Sequence, residues 1–182
     1  MKLTRNILIS SVLLLLSCQK QDGINIFRPI DSKGWSTYDT LTFDVPASSQ
    51  LADYDITFQA RITHNYAYKD LWLVIEQNYC DTICEDTLTF AEEMRHSTYF
   101  TDTVHLAIVD QDGNFTGTGR EFLQYSCPVR FVKLKEGMHG TLHIHHIMSD
   151  HIIEGIHDIG IEMSPLLQSI APSIDAQQDE QQ

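Results

Sequence analysis

Asp53 to His64 carries the clearest pattern in the chain: Tyr54, Ile56, Phe58, Ala60 and Ile62 alternate with Asp55, Thr57, Gln59, Arg61 and Thr63. A period of two over that length is a β-strand with one face on a core and the other in water. Leu41, Phe43 and Val45 repeat the alternation, as do Val104, Leu106 and Ile108, then Val129 and Phe131, and lastly Ile159, Ile161 and Met163. Leu71-Trp72-Leu73-Val74-Ile75 is apolar on both faces and predicts a central strand. Asn65, Asp70, Asp112-Gly113 and Glu136-Gly137 supply turn signals between the strands. No stretch has a convincing amphipathic helix; Ala91 to His96 and Arg120 to Tyr125 could each hold one turn. Short strands with polar turns predict an all-β fold, an antiparallel, jelly-roll-like β-sandwich of roughly eight or nine strands. The domain is expected over 25–164, with 18–24 as a tether. Residues 165–182 lose the periodicity, contain Pro165 and Pro172 and end in a Gln-rich run, which predicts a disordered tail. There is no internal repeat.

The first residues follow another rule. Lys2 and Arg5 precede an almost unbroken apolar run from Ile7 to Leu16, closed by Ser17-Cys18. The run is shorter than the about 20 residues a permanent span needs and has the length of a signal-peptide core. A small residue directly before a cysteine resembles the bacterial lipobox, in which the thiol of the first mature residue receives a diacylglycerol. Residues 1–17 are therefore expected to be removed and Cys18 to carry a covalent lipid, the one cofactor-like group implied. No aspartate follows Cys18 to favour the inner membrane, so an outer-membrane anchor is expected, on its periplasmic or its cell-surface face.

Composition sharpens this picture. The formal charge of −13 becomes −15 when Lys2 and Arg5 leave with the signal. Such an acidic domain repels phosphate backbones, which excludes nucleic acid as a partner. Cys80, Cys84 and Cys127 would sit in an oxidising compartment, where three cysteines cannot all pair within one chain. A Cys80–Cys84 bridge around Asp81-Thr82-Ile83 is one arrangement, leaving Cys127 as a free thiol. It would close a small loop and so constrain the unfolded chain only slightly.

Candidate chemistry is sparse. His139, His143, His145, His146 and His151 crowd one stretch, and on a strand His143 and His145 share a face, which makes a two-histidine metal claw geometrically possible. The spacing matches no His-Glu-x-x-His motif, and a wet strand face that happens to hold histidines accounts for it as well. Asp110-Gln111-Asp112-Gly113-Asn114, with Glu121 at the twelfth position, resembles the start of a calcium loop. The flanking segments read as strands, so a hairpin turn is the favoured reading. Trp35, Tyr66 and Tyr68, with Tyr79, could form an aromatic platform for sugar rings, although such residues are more often core. There is no Gly-x-Ser-x-Gly, P-loop or flanked catalytic cysteine, and no enzyme is predicted.

Several stretches taken in order are more specific than any one motif. They are Gly34-Trp35, then Asp39 to Pro46, then Leu71-Trp72-Leu73 after an Asn/Tyr-rich turn. Asp102 to Leu106 leads on to Asp110, Asp112-Gly113 and Gly117-Thr118-Gly119, and His146-Ile147-Met148 to Asp150, Gly155-Ile156 and Asp158 to Glu162. Behind a lipobox, this series resembles the gliding-motility lipoproteins of the GldH type from Bacteroidetes, over about Ile24 to Glu162. One departure stands out: Ser149 occupies a position where that family usually has arginine. The resemblance implies a non-catalytic lipoprotein that works with other envelope proteins in gliding and in the associated type IX secretion. Two readings stay open beside it, a glycan-binding surface sandwich and a weak metal site on the histidine strand. Asp81-Thr82-Ile83, Asp86-Thr87-Leu88 and Asp102-Thr103-Val104 also resemble the short O-glycosylation signal of exported Bacteroidetes proteins.

Overall fold

A computed structural model describes residues 23–81 and 97–166 of the 182. The expectations for Cys18, for Cys84, for a turn at 91–96 and for most of the tail fall outside these residues. Ten strands follow one another: β1 (Ile24–Pro29), β2 (Trp35–Ser36), β3 (Leu41–Val45), β4 (Ala52–Ile62), β5 (Asp70–Cys80), β6 (Ser97–Ala107), β7 (Leu123–Leu134), β8 (His139–His146), β9 (Ile152–Ile153) and β10 (Ile156–Pro165). They form two four-stranded sheets, ordered β1-β10-β4-β7 and β3-β8-β5-β6, while β2 pairs with β9 alone. Seven of the eight long strands fall where the sequence pattern places one; β1 is the eighth, carries no alternation and starts within the expected tether, and with the two short strands the described residues hold ten.

Every long-strand pair is antiparallel, and within this set the first pairs with the last, β1 with β10, then β3 with β8, β4 with β7 and β5 with β6. Successive pairs of this nested series alternate between the sheets. That is the winding of a jelly roll, a long hairpin ribbon wrapped around one core.

Tyr54, Ile56, Phe58, Ala60 and Ile62 of β4 are all buried, and so are Leu71, Leu73 and Ile75 of β5, Leu142 and Ile144 of β8, and Ile159, Ile161 and Met163 of β10. Two patterns come out differently from expectation. β5 is indeed central, between β8 and β6, but its outer face is open and Trp72 is 41% exposed. In β7 the register slips opposite Ile56 and Thr57, so that Val129 is an extra residue between Pro128 and Arg130. A bulge shifts the phase of everything after it. Val132 and Leu134 are therefore buried, Phe131 faces solvent at 67% exposure, and Arg130 takes an inward position. Arg120 to Phe122 is a bend leading into β7, not a helical turn.

The bulge sets up a closure. Nε and Nη2 of Arg130 donate to the two carboxylate oxygens of Asp102 on β6, each at 2.7 Å, and the guanidinium lies over Phe100 at 4.1 Å. Gln77, fully buried, donates to the same carboxylate at 2.9 Å and accepts from the Tyr79 hydroxyl at 2.8 Å. The edges of the two sheets are thus bolted together on this side by a charge-assisted bidentate pair whose partners are satisfied. On the opposite side Arg28 of β1 donates through Nε to the Thr42 carbonyl of β3 at 3.2 Å.

Cys80 is disulfide-bonded, and Cys84, its expected partner, lies outside the described residues. Cys127 is a free, half-buried thiol whose pKa burial pushes up, which disfavours the reactive thiolate.

Candidate functional site at the loop end

The ladders define two ends of the sandwich. Gly23 precedes β1 at one end, beside the Ser164–Pro165 end of β10 and the 46–51 and 135–138 turns. At the other end meet the connections 30–34, 37–40, 63–69, 108–122 and 147–155.

Glycine makes the close packing there possible. Gly155 has φ +88°, and a Cβ on it would stand 2.7 Å from the Tyr66 backbone. The Gly155 carbonyl accepts from the Thr63 N–H at 2.8 Å and from its hydroxyl at 3.1 Å, which fastens the 63–69 loop to the start of β10. Tyr66 is buried beneath, its hydroxyl donating to the Asp70 carbonyl at 2.9 Å, and its own titration is pushed upward by that burial. Tyr68 packs edge-on against Tyr66 and donates to the Asp150 carboxylate. That hydrogen bond is the largest cause holding the Tyr68 pKa above its ordinary value.

Between these loops lies an open cleft of about 450 Å³, lined by Tyr68, Lys69, Asp70, Trp72, Ile147 and Met148, with Ser149 at its rim. Trp72 forms its aromatic wall. Its ring stacks on His105 at 4.1 Å between centroids with 14° between planes, and His105 Nε2 is 2.6 Å from Asp70 Oδ1. The Ile147 N–H donates to the Trp72 carbonyl at 3.0 Å, and the main-chain N–H of Trp72 donates to the Met148 sulfur at 3.4 Å. A half-exposed indole beside an aliphatic chain and a thioether is a surface suited to an apolar or aromatic anchor from another molecule.

The sequence-derived candidates fare unequally. Of the aromatic platform, Trp35 is 1% and Tyr66 5% exposed, and only Tyr68 reaches solvent. Trp35 donates through Nε1 to the Asp39 carbonyl at 2.8 Å and meets the His146 ring edge-on. Both rings are core and cannot offer a face to a sugar. His143 and His145 do share the outer face of β8, where His143 Nδ1 is 3.1 Å from the Thr42 hydroxyl and sits across from Glu76, while His145 sits across from Val74. Among the described residues no three His, Cys, Asp or Glu side chains gather as a metal-holding group. Asp110 spends its carboxylate on its own turn, accepting from the N–H groups of Asp112 at 2.9 Å and Asn114 at 2.8 Å. These bonds, that from Asn114 foremost, pull its pKa down. The loop is a self-capped hairpin turn around Gly113, φ +85°.

Trp72, His105 and Met148 were not singled out as a site by sequence reasoning. The signal lay in the parity of β5: with Leu71 and Leu73 inside, Trp72 must stand outside.

A family model described as GldH lipoprotein matches residues 24–163. The chain belongs to the GldH lipoprotein family. It is 23% identical over 167 residues to the gliding motility lipoprotein GldH of Flavobacterium johnsoniae, a match covering 86% of this chain and 93% of that protein. The match to the GldH model ends two residues short of the end of β10 and takes in both sheets, so the jelly roll described above is the GldH domain of this chain.

Proposed function

We propose that this chain is a non-catalytic lipoprotein, held to the outer membrane by a lipid on Cys18, that acts by protein contact in a motility or secretion-associated envelope assembly. One observation carries the reading. The stretches through which the chain resembles GldH lipoproteins include Gly34-Trp35, Leu71-Trp72, Asp110 to Gly119, Ile147-Met148, Asp150 and Gly155, and these meet at the loop end, opposite Gly23 where the anchored segment joins the domain. A family pattern held by a nucleophile or a ligand set would centre on those groups. At the loop end its members are turn glycines, which shape a surface, and the walls of a cleft that sets Trp72, Ile147 and Met148 beside Tyr68, Lys69 and Asp70.

The test has two arms. Cys18→Ala should leave the domain folded and move it from the membrane to the soluble fraction; continued membrane attachment would overturn the anchor. A Trp72→Ala, Met148→Ala double variant in the anchored protein should be present at normal abundance yet impair gliding or type IX export and lose envelope partners in a crosslinked pulldown. Unchanged export and partners would overturn action through the loop end.

A further inference from the structure

Among the described residues the sandwich has four edge strands, and they are unequal. β1 is six residues long, carries Arg28 and ends on Pro29. β3 has only five residues, with Asp44 among them. β7 is interrupted by its bulge, contains Pro128 and bears Arg130 and Lys133. Short length, proline, charge and bulges are the devices by which sheet edges avoid pairing with other chains. β6 has one of them, the inward carboxylate of Asp102, and that charge is taken up by Arg130 of β7. Its eleven residues, Ser-Thr-Tyr-Phe-Thr-Asp-Thr-Val-His-Leu-Ala, pair with β5 from Ser97 to Ala107 without a break in register. They include no proline, glycine, lysine or arginine. Asp102, their one carboxylate, turns inward to Arg130.

The ladder also tells which main-chain groups face away from β5. The Ile108 N–H donates to the Lys69 carbonyl at 2.8 Å, one step beyond the Asp70–Ala107 pair, so the even-numbered residues of β6 face β5. The N–H and C=O groups of Tyr99, Thr101, Thr103 and His105 then point away from the sheet, and among the described residues β6 pairs with β5 alone. The side chains of these four residues lie on the outer face. At the loop end the Thr116 hydroxyl already donates to the outward Ala107 carbonyl at 2.8 Å, which marks where the open edge stops.

We propose that the free edge of β6 is a strand-addition site for an extended, positively charged segment of another protein. Main-chain bonds along such an edge supply affinity, and the flanking side chains choose among sequences. Charge sets the sign of the partner. Glu76 stands beside Thr101 on the outer face, and the chain carries −13 overall, so a second copy would bring like charge to the edge whereas a basic strand is attracted to it. The edge runs along the side of the sandwich, and the proposal is independent of the role given above to the loop end.

The experiment uses the full-length lipoprotein in detergent and a capped peptide of alternating lysine, valine and threonine. Its controls are the same peptide N-methylated at alternate residues and one with glutamate in place of lysine. The lysine peptide is expected to slow amide exchange at Tyr99, Thr101, Thr103 and His105, while both controls leave them unchanged. Thr101→Pro removes a donor that faces away from β5, so the urea midpoint should stay near wild type while peptide affinity falls about tenfold. Should that variant fail to fold, the N-methylated peptide on the unaltered protein decides. Equal binding of either control, or slow exchange of the four amides before any peptide is added, overturns the proposal. So does a concentration-dependent dimer that protects the same amides.

Discussion

The outer faces of the two sheets are built to opposite ends. On the β1-β10-β4-β7 sheet, the Phe27 ring lies across Gly160, where a Cβ would be 2.6 Å from it, and the Arg61 guanidinium covers that ring at 4.2 Å. Arg61 also pairs with the nearly buried Asp158 at 2.8 Å, and Gln59 donates to Glu162 at 2.5 Å. Over β1, β10 and β4 that face is roofed by its own side chains, and only toward β7, at Phe131, does a large apolar side chain stand open among the described residues. On the β3-β8-β5-β6 sheet, Trp72, Tyr99, Thr101, Thr103 and His105 stand open to solvent. A sandwich needs only its inner faces for stability. The roofed sheet spends outer-face residues on holding β1 in place, and the bare sheet keeps its own free for contact.

Substitution should expose this asymmetry most sharply at Gly160. Gly160→Val drives a branched side chain into the Phe27 ring and should cost about 1–3 kcal/mol by urea unfolding; a change below experimental error would mean the roof contributes nothing. A titration probes the bare sheet from within. His146 is 1% exposed, its Nδ1 has no partner among the described residues, and its Nε2 lies 3.1 Å from the Trp35 carbonyl. Burial is the main cause of its lowered pKa. The folded state thus disfavours the imidazolium. Its contribution to stability is complete above pH about 6.5 and is lost as pH falls from there toward the lowered folded value, with a slope of at most about 1.4 kcal/mol per unit. Urea midpoints measured from pH 7.5 to 5 should fall in the wild type and fall less in His146→Gln; parallel curves would acquit this residue. The smallest effect is expected outside, where Trp72→Ala should cost about 1 kcal/mol or less. The chain has two tryptophans, and the variant should lose most of its acrylamide-quenchable fluorescence, since Trp35 is enclosed.

Alternation made the fold legible wherever a strand has one wet face and no irregularity, as in β4 and β10. It failed at Val129 and Phe131 because a bulge is a two-against-one pairing, visible only once the partner strand is known. Pro128 was the local hint. The loop-end cleft escaped for another reason: its residues come from β5, β6 and two connections far apart in sequence, and only nested strand pairing brings them together. Trp35 and Tyr66 are core, as such aromatics more often are, but they come from a short strand and a loop whose inward orientation no periodicity announces, so the platform stayed open as an alternative. The histidines of β8 were legible as a shared face, but the pattern gave no sign of what stood opposite them.

Strand order also governs when this chain can fold. β10, the last strand to be made, sits in the interior of its sheet between β1 and β4, and it pairs with the first strand from Ile24–Met163 to Pro29–Asp158. Until 156–165 emerge, β1 has no partner and half of the core has no floor. Such long-range closure makes folding slow and late. The wiring that encloses the finished core thus leaves the first strand waiting on the tenth, and the two ends of the sandwich fold together or not at all.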